Sequence, residues 1–386
     1  MSLRALYLSG APRLSTRDST ESLGPRSHIL GVLFAFRRAG IEVDELIVGD
    51  RSPAAFTQQG AEARLSRSWL TVLATDVLRL AYRFRNQLLA RRMLSTGPYD
   101  FVYERYSLFQ SLGSVRRKPV EWILEVNALL AIEATSERRA TTSRAIAKWV
   151  EGRTFRKADR IVAVTESLRE QIASVYGVDS ARIEVVANGV DVQPGQRRAP
   201  ESLKRIGFLG ALYEWQNLDA LIGALTLPGL RHLNIDIAGD GPQRAHLEHL
   251  AAKLGVDDRV VFHGRVHPDR VQEFLSTVDL CYAGHDSSNG AYFSPLKLWE
   301  YLAAGRPIVA SMHQVTTELS EEGFAVITFQ GRSADHVGAV LLRIKDEYAA
   351  LSKVAAESVD RVRESFSWDA RLAPLVRSIT AKHHGG

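Results

Sequence analysis

One cysteine, Cys281, is the only thiol in this 386-residue chain. A single thiol excludes an intramolecular disulfide and any cysteine-based zinc cluster, and it fits a reducing compartment. Long apolar runs are also missing. The longest, residues 29–36, falls far short of the roughly 20 residues needed to cross a bilayer. Residues 1–8 carry too short an apolar stretch for a signal peptide and read as a first strand. Several catalytic patterns are absent. Without a Walker A sequence or a Gly-x-Ser-x-Gly elbow, P-loop and common α/β-hydrolase mechanisms lack their carriers. Neither His-Glu-x-x-His nor Asp-x-Asp occurs, so the metal sites built on those motifs have no support. No nucleic-acid-binding motif is recognisable, and no nucleic-acid partner is expected.

What is present describes a globular protein with two domains. Apolar residues make up 45% and charged residues 24%, and the length suits two domains of ordinary size. A cytoplasmic protein is expected. The net charge of +5 is unevenly shared: residues 1–193 hold 28 Lys/Arg against 21 Asp/Glu. A basic first half suits an anionic partner, such as a phosphorylated acceptor or the inner face of a membrane, although solubility accounts for it equally well.

Strand, loop, helix, glycine and strand recur in order, which is the grammar of a parallel doubly wound sheet. Residues 4–9 read as a strand, 10–27 as a polar loop, 28–39 as a helix and 41–48 as a strand. Ligands in such sheets gather beyond the carboxyl ends of strands, so the 10–27 loop with Arg26 and His28 is placed for binding, or simply for solvation. Residues 66–93 read as a long helix whose apolar stripe runs through Leu70, Leu73, Val77, Leu80, Phe84 and Leu88. Arginines crowd the remainder. Such a helix either packs that stripe on a core or lies on anionic lipid. Strands expected at 99–103 and 122–126 place polar groups near their ends: Arg105 after the first, and Glu125 and Asn127 at the second. Asn188-Gly189 suggests a turn. Residues 190–202, with Pro194, Gly195 and Pro200, form the best linker. A second sheet follows, then a helix over 334–366 and a last one over 369–380.

The most informative stretch is 294–310. Ser294 is a suitable N-cap, Pro295 fits the first helical position, and Gly305 with Pro307 ends the helix before the strand-like Ile308-Val309-Ala310. A helix N-terminus there could seat a phosphate, and Glu300 could accept hydrogen bonds from a sugar diol. An ordinary helix–strand unit explains the pattern as well. Ala238-Gly239-Asp240-Gly241-Pro242 lets backbone approach a ligand but lacks the third glycine of the dinucleotide fingerprint. Phe262-His263-Gly264-Arg265 ends the next strand, where Gly264 could face a base and Arg265 a phosphate.

Together these pieces resemble glycosyltransferase family 4, whose members are retaining enzymes that use nucleotide sugars. Residues 294–310 are similar to its donor-site helix, Pro-Leu-Lys-Leu-x-Glu-Tyr-x-Ala-x-Gly-x-Pro. Supporting pieces are 182–191, Gly207-Phe208-Leu209-Gly210, 238–242, 261–264, Tyr103-Glu104-Arg105-Tyr106, Leu124-Glu125-Val126-Asn127 and Phe366-Ser367-Trp368. The resemblance implies a GT-B fold of the α/β class: two Rossmann-like doubly wound domains facing a central cleft, with a C-terminal helix crossing back. The acceptor domain would be 1–193 plus 367–386, and the donor domain 203–366. It implies transfer of a sugar from a nucleotide sugar, with a UDP-sugar expected, to a glycan, lipid-linked or small-molecule hydroxyl, for a surface glycan or a small glycoside. A silent module that binds a nucleotide sugar or a partner protein, and a sugar-nucleotide epimerase of the same fold, are the alternatives.

Carried onto this sequence, Glu300 would bind the ribose, and Ser294, Pro295 and Leu296 would begin the helix whose amides cradle the diphosphate. Tyr292, Gly210, His263, Gly264 and Arg265 would complete the donor site. Lys297, Asn127 and Glu125 would serve the chemistry, and Arg26, His28 and Arg105 the acceptor. No metal and no other cofactor is implied, because the nucleotide sugar is a co-substrate. Four positions depart from the family pattern. Tyr292 replaces the first glutamate of a Glu-x7-Glu pair, Ala211 and Gln216 replace an Arg and a Lys that clamp the diphosphate, and Asn127 replaces a histidine.

Overall fold

The computed structural model describes residues 2–17, 23–52, 69–132, 144–192, 199–285 and 296–384. The chain divides into two compact units, Met1–Asn188 with Trp368–Gly386, and Gly189–Ser367. The division falls ahead of the linker expected from composition. Asn188 and Gly189 do not make the expected turn: no turn occurs at 186–189, and neither residue takes the positive φ expected of it. The chain is tied down at Val190, whose N–H donates to the Phe366 carbonyl at 2.9 Å and which bridges to Ser367. Backbone pairing satisfied across this crossing removes the need for a local turn.

Unit 1 begins with β1 (Arg4–Ser9), α1 (Leu23–Arg38), β2 (Glu42–Ile47), α2 (Trp69–Thr96), β3 (Phe101–Arg105) and β4 (Glu121–Val126). It continues with α3 (Arg144–Lys157), β5 (Arg160–Ala163), α4 (Glu166–Tyr176) and β6 (Ile183–Val185). Unit 2 comprises β7 (Arg205–Leu209), α5 (Leu218–Ala224), β8 (Asn234–Ala238), α6 (Arg244–Lys253), β9 (Val260–Gly264), α7 (Val271–Ser276) and β10 (Leu280–Ala283). After it come α8 (Leu296–Ala303), β11 (Ile308–Ser311), α9 (Gln314–Glu321), β12 (Val326–Phe329), α10 (Ala334–Glu357) and α11 (Val359–Phe366). The last helix, α12 (Trp368–His384), returns to unit 1. The single helix expected over 334–366 is two, parted at Ser358, whose hydroxyl bonds back to the Val354 carbonyl at 2.7 Å.

Both sheets have six strands, all parallel. Their orders are β2-β1-β3-β4-β5-β6 and β12-β11-β10-β7-β8-β9. In each the chain winds outward, then returns past its first strand and winds the other way. The reversals lie between β1 and β3 in unit 1 and between β7 and β10 in unit 2. Crevices beyond the carboxyl ends of such strand pairs are where open α/β sheets bind ligands. This is the two-domain α/β architecture of GT-B proteins.

Strand alternation decides what each helix covers. In unit 1, Ala5, Tyr7, Phe101, Tyr103, Ile123 and Val162 share one face with α1 and α12. Leu6, Leu8, Val102, Trp122, Leu124 and Ile161 face α2, α3 and α4. Trp368 opens α12 and is buried against α1, where a Cβ on Gly31 would sit 2.1 Å from the indole nitrogen. Arg38 of α1 adds two contacts to Asp369, at 2.8 and 2.9 Å. These contacts anchor the return helix.

The apolar stripe expected to seat α2 faces solvent instead over its described part. Phe84 is 65% and Leu88 52% exposed, whereas Tyr82, Leu89, Ala90 and Met93 pack into the core. Residues 82, 89, 90 and 93, with the buried polar Asn86 among them, recur at steps of three and four as well as 84 and 88 do. A helix apolar on two sides leaves the inward face undetermined by periodicity.

Candidate functional site

Buried polar residues in unit 1 collect at the carboxyl ends of strands, beside the reversal. In β3, alternation sends Tyr103 and Arg105 to the α1 side and Glu104 to the other. Arg105 lies opposite Glu125 of β4 in the register. The Glu125 carboxylate is a hub. Its Oε1 accepts from Arg105 Nη1 at 2.9 Å and Asn127 Nδ2 at 2.6 Å, and lies 2.8 Å from His28 Nε2. Its Oε2 accepts from the Tyr103 hydroxyl at 2.8 Å. Burial alone would raise this carboxyl, but His28, Arg105 and Asn127 outweigh it and hold it far below the usual carboxylate range. A carboxylate so engaged accepts a proton poorly. Glu125 therefore orients its neighbours.

His28 is buried in α1, not placed on a loop, with its ring edge 4.8 Å from the Trp368 ring at 81°. Burial lowers its pKa from 6.5 against the pull of Glu125. Arg26 is also helical and buried, and its Nε donates to the Thr16 carbonyl at 2.9 Å. Arg26 thus fastens the loop to α1. Glu104, on the opposite side, accepts from the amides of Leu112 and Gly113 at 2.6 and 2.9 Å, and burial pushes its pKa up to about 7. It anchors the loop after β3.

In unit 2 the reversal carries the second cluster. Helix α8 is fixed there by Tyr301, whose hydroxyl accepts from the Leu209 amide at 2.8 Å and donates to the Tyr282 carbonyl at 3.3 Å. Lys297 and Glu300, one turn apart, thereby stand beside the ends of β7 and β10. Lys297 Nζ donates to Gln216 Oε1 at 2.5 Å and lies 4.4 Å from the Phe208 ring centre. A Cβ on Gly210 would come 3.5 Å from that amine. Glu300 Oε2 accepts from Gln272 Nε2 at 3.1 Å. Both side chains keep some solvent contact while protein crowds their charged ends. Burial brings Lys297 down to about 7. Burial, with the nearby Asp191 charge adding to it, lifts Glu300 to about 7 against the Gln272 hydrogen bond.

Glycines shape the rest of this edge. A Cβ on Gly239 (φ 159°) would fall 1.8 Å from the Gly210 carbonyl oxygen. Gly239→Ala is expected to cost unit 2 on the order of 3 kcal/mol, read as a lower urea midpoint; an unchanged midpoint would exclude the close approach. Gly264 adopts φ 67°, and its carbonyl accepts from the Gly239 amide. His263 turns Nε2 to the buried Asp236 at 2.7 Å and its ring to Phe274. Arg265 Nε lies 4.0 Å from Asp240. His263 and Gly264 thus close β9 and Arg265 follows it, two strands from β7.

Leu296 is the first described residue of α8; Tyr292, Ser294 and Pro295 lie outside the described residues. Sequence reasoning gave no site role to Tyr103 on Glu125, to Asn188 and Trp368 beside His28, or to Gln272, Asp191 and Tyr301 around α8, although all but Gln272 lie in the motifs quoted above. Gln272 alone carried no local signal.

Residues 24–194 match the family model described as Glycosyltransferase Family 4, and residues 203–346 match Glycosyl transferases group 1. Curated D-inositol 3-phosphate glycosyltransferases are similar. That of Thermomonospora curvata is 28% identical over 316 residues, covering 74% of this chain and 72% of its own. That of Mycolicibacterium smegmatis is 29% identical over 312 residues, covering 74% and 68%. Among solved structures, sucrose-phosphate synthase from Thermosynechococcus elongatus superposes over 100% of both chains with TM-score 0.68 and 15% identity. Anabaena HepE in complex with UDP and glucose superposes over 98% of this chain and 100% of its own, with TM-score 0.66 and 14% identity. At such identities the structural likeness concerns the fold.

Proposed function

We propose that this chain, which belongs to glycosyltransferase family 4, moves a sugar from a UDP-sugar to a hydroxyl acceptor with retention of configuration. Its class is that of the sugar-transferring enzymes. The donor, the stereochemistry and the acceptor (a surface glycan, a lipid-linked glycan or a small molecule) are our own reading. One arrangement carries most weight: Lys297 and Glu300 stand on one turn of α8 at the strand reversal of unit 2, beside a glycine that leaves backbone open. A cation and a carboxylate so spaced suit a diphosphate and a ribose diol. The solved structures titled as UDP complexes, HepE and TarM, support the choice of base.

In this reading the donor binds unit 2. The amide ends of α8 and Lys297 stabilise charge on the departing diphosphate. Gln216 cannot supply charge, but its carbonyl oxygen holds the Lys297 amine in place. The acceptor binds unit 1 near His28, Arg105 and Asn127. Arg105 is already paired with Glu125, so the acceptor side offers ordered hydrogen-bond donors more than free positive charge. The bond from the anomeric carbon to the diphosphate breaks, the bond to the acceptor oxygen forms on the same face, and the acceptor proton passes to the leaving phosphate. No metal is assigned a part. The D-inositol 3-phosphate relatives make a phosphorylated polyol one acceptor class to try.

Calorimetric titration with UDP tests the site. Wild type is expected to bind, and Glu300→Gln to bind about tenfold more weakly, as for one charge-assisted hydrogen bond. Equal affinity in both would remove Glu300 from the site. Binding without turnover of any UDP-sugar would favour a silent module.

A further inference from the structure

We propose that the outer faces of α2 and α3 form a docking surface for an anionic lipid bilayer. The four most exposed large apolar side chains among the described residues all lie on these two helices: Phe84 (65%), Trp149 (61%), Ile146 (58%) and Leu88 (52%). Each other large apolar side chain with notable exposure is at 45% or less. Chance scatter over a surface does not produce that segregation.

The geometry gives the four residues a common side. Phe84 and Leu88 are four apart on α2, and Ile146 and Trp149 three apart on α3, so each pair projects from one helix face. The opposite faces of both helices are spent on the same core: Leu89, Ala90 and Met93 of α2 and Phe155 of α3 pack against one side of the unit 1 sheet. Two helices seated by their inner faces on one side of a sheet turn their outer faces the same way.

The charge on those faces is of one sign. From Tyr82 to the end of α2 there is no acidic residue, while Arg85, Arg91 and Arg92 are exposed. The one acidic residue of α3, Glu151, points inward and is fully buried, accepting from the Ala131 amide at 3.1 Å and bonding Tyr176. Arg144, Lys148 and Arg153 of α3 are exposed. The Arg153 guanidinium lies 5.6 Å from the centre of the Trp149 ring. Exposed aromatic and aliphatic side chains interleaved with Lys and Arg, with carboxylates withdrawn, match the interface of a negatively charged leaflet. A protein partner with an acidic rim would satisfy the charge but would need its own apolar complement. The bilayer supplies both at once, and no helix among the described residues is apolar enough to span it.

Vesicle flotation of the whole chain tests this without any substrate, so the outcome is independent of sugar transfer. The chain is expected to float with vesicles of phosphatidylcholine mixed with phosphatidylglycerol, to stay behind with phosphatidylcholine alone, and to be released by high salt. Phe84→Ser with Trp149→Ser is expected to weaken binding at least about tenfold, with an unchanged melting temperature because neither side chain packs in a core. Lys148→Glu with Arg153→Glu gives the same loss by charge. Equal flotation of these variants, or equal binding to both lipids, overturns the proposal. So does a dimer in solution that Trp149→Ser dissociates, since a second copy would then be the occupant.

Discussion

Replacing Glu125 with alanine is expected to lower the stability of unit 1 by about 3–5 kcal/mol, a larger loss than any other side chain of the acceptor cluster should cause. The variant removes one carboxylate and leaves Arg105 nearly buried with no counter-ion, and Tyr103, Asn127 and His28 without their common acceptor. For a unit of this size the unfolding transition should fall by roughly 10 °C, measured by calorimetry with unit 1 followed by hydrogen exchange. Glu125→Gln keeps an acceptor oxygen for Tyr103 and should lose about half as much. An unchanged transition in Glu125→Ala would show that the hub contributes nothing.

The pH dependence has a definite sign. A carboxyl held below its unfolded value contributes stability that is complete above the ordinary carboxylate range and is lost only as the pH falls through the folded value. The difference between wild type and Glu125→Gln should therefore stay constant from pH 6 to 9. His28, whose value is lowered from 6.5 by burial, acts earlier: stability declines as the pH falls below about 6.5, where the unfolded chain takes up a proton that the folded chain refuses.

The rate constant kcat/KM for the UDP-sugar is expected to follow a narrow bell centred near pH 7. Glu300 receives ribose hydroxyls best when ionised, and Lys297 opposes the diphosphate only when protonated. Burial brings both groups to about 7 from opposite directions. Below that pH Glu300 takes up a proton, and above it Lys297 gives one up. The rate should fall about tenfold per pH unit on either side. A sugar nucleotide's diphosphate is esterified at both ends and does not titrate in this range, so both limbs belong to the protein. Glu300→Gln should remove the acid limb. Lys297→Met should remove the alkaline limb and lower kcat about 10²–10³-fold, the scale of one lost preorganised contact to developing charge. A profile flat from pH 6 to 8.5, or limbs surviving in both variants, would show that these two groups do not control the reaction.

Much of the donor helix was legible in advance. Gly305 does take a positive φ (66°), and β11 follows at Ile308. The strands were legible because a sheet covered on both faces needs continuous apolar runs, and polar residues interrupt them only at the ends. Arg105, Glu125 and Asn127 were found by that interruption. Their partnership was not. It joins side chains at 28, 103, 105, 125 and 127, and a shared carboxylate leaves no trace in local spacing.

The sequence by itself determined the parallel α/β grammar, the limits of most strands and the membership of a family, since each is written in local pattern and short motifs. Only the tertiary structure decided three things. It turned Phe84 and Leu88 outward, because a helix with two apolar sides is oriented by what its neighbours offer. Arg105 is committed to Glu125, because register across β3 and β4 sets their distance. And Lys297 and Glu300 are drawn toward a common pKa, because desolvation depends on atoms brought close by folding and not on the residues beside them in the chain.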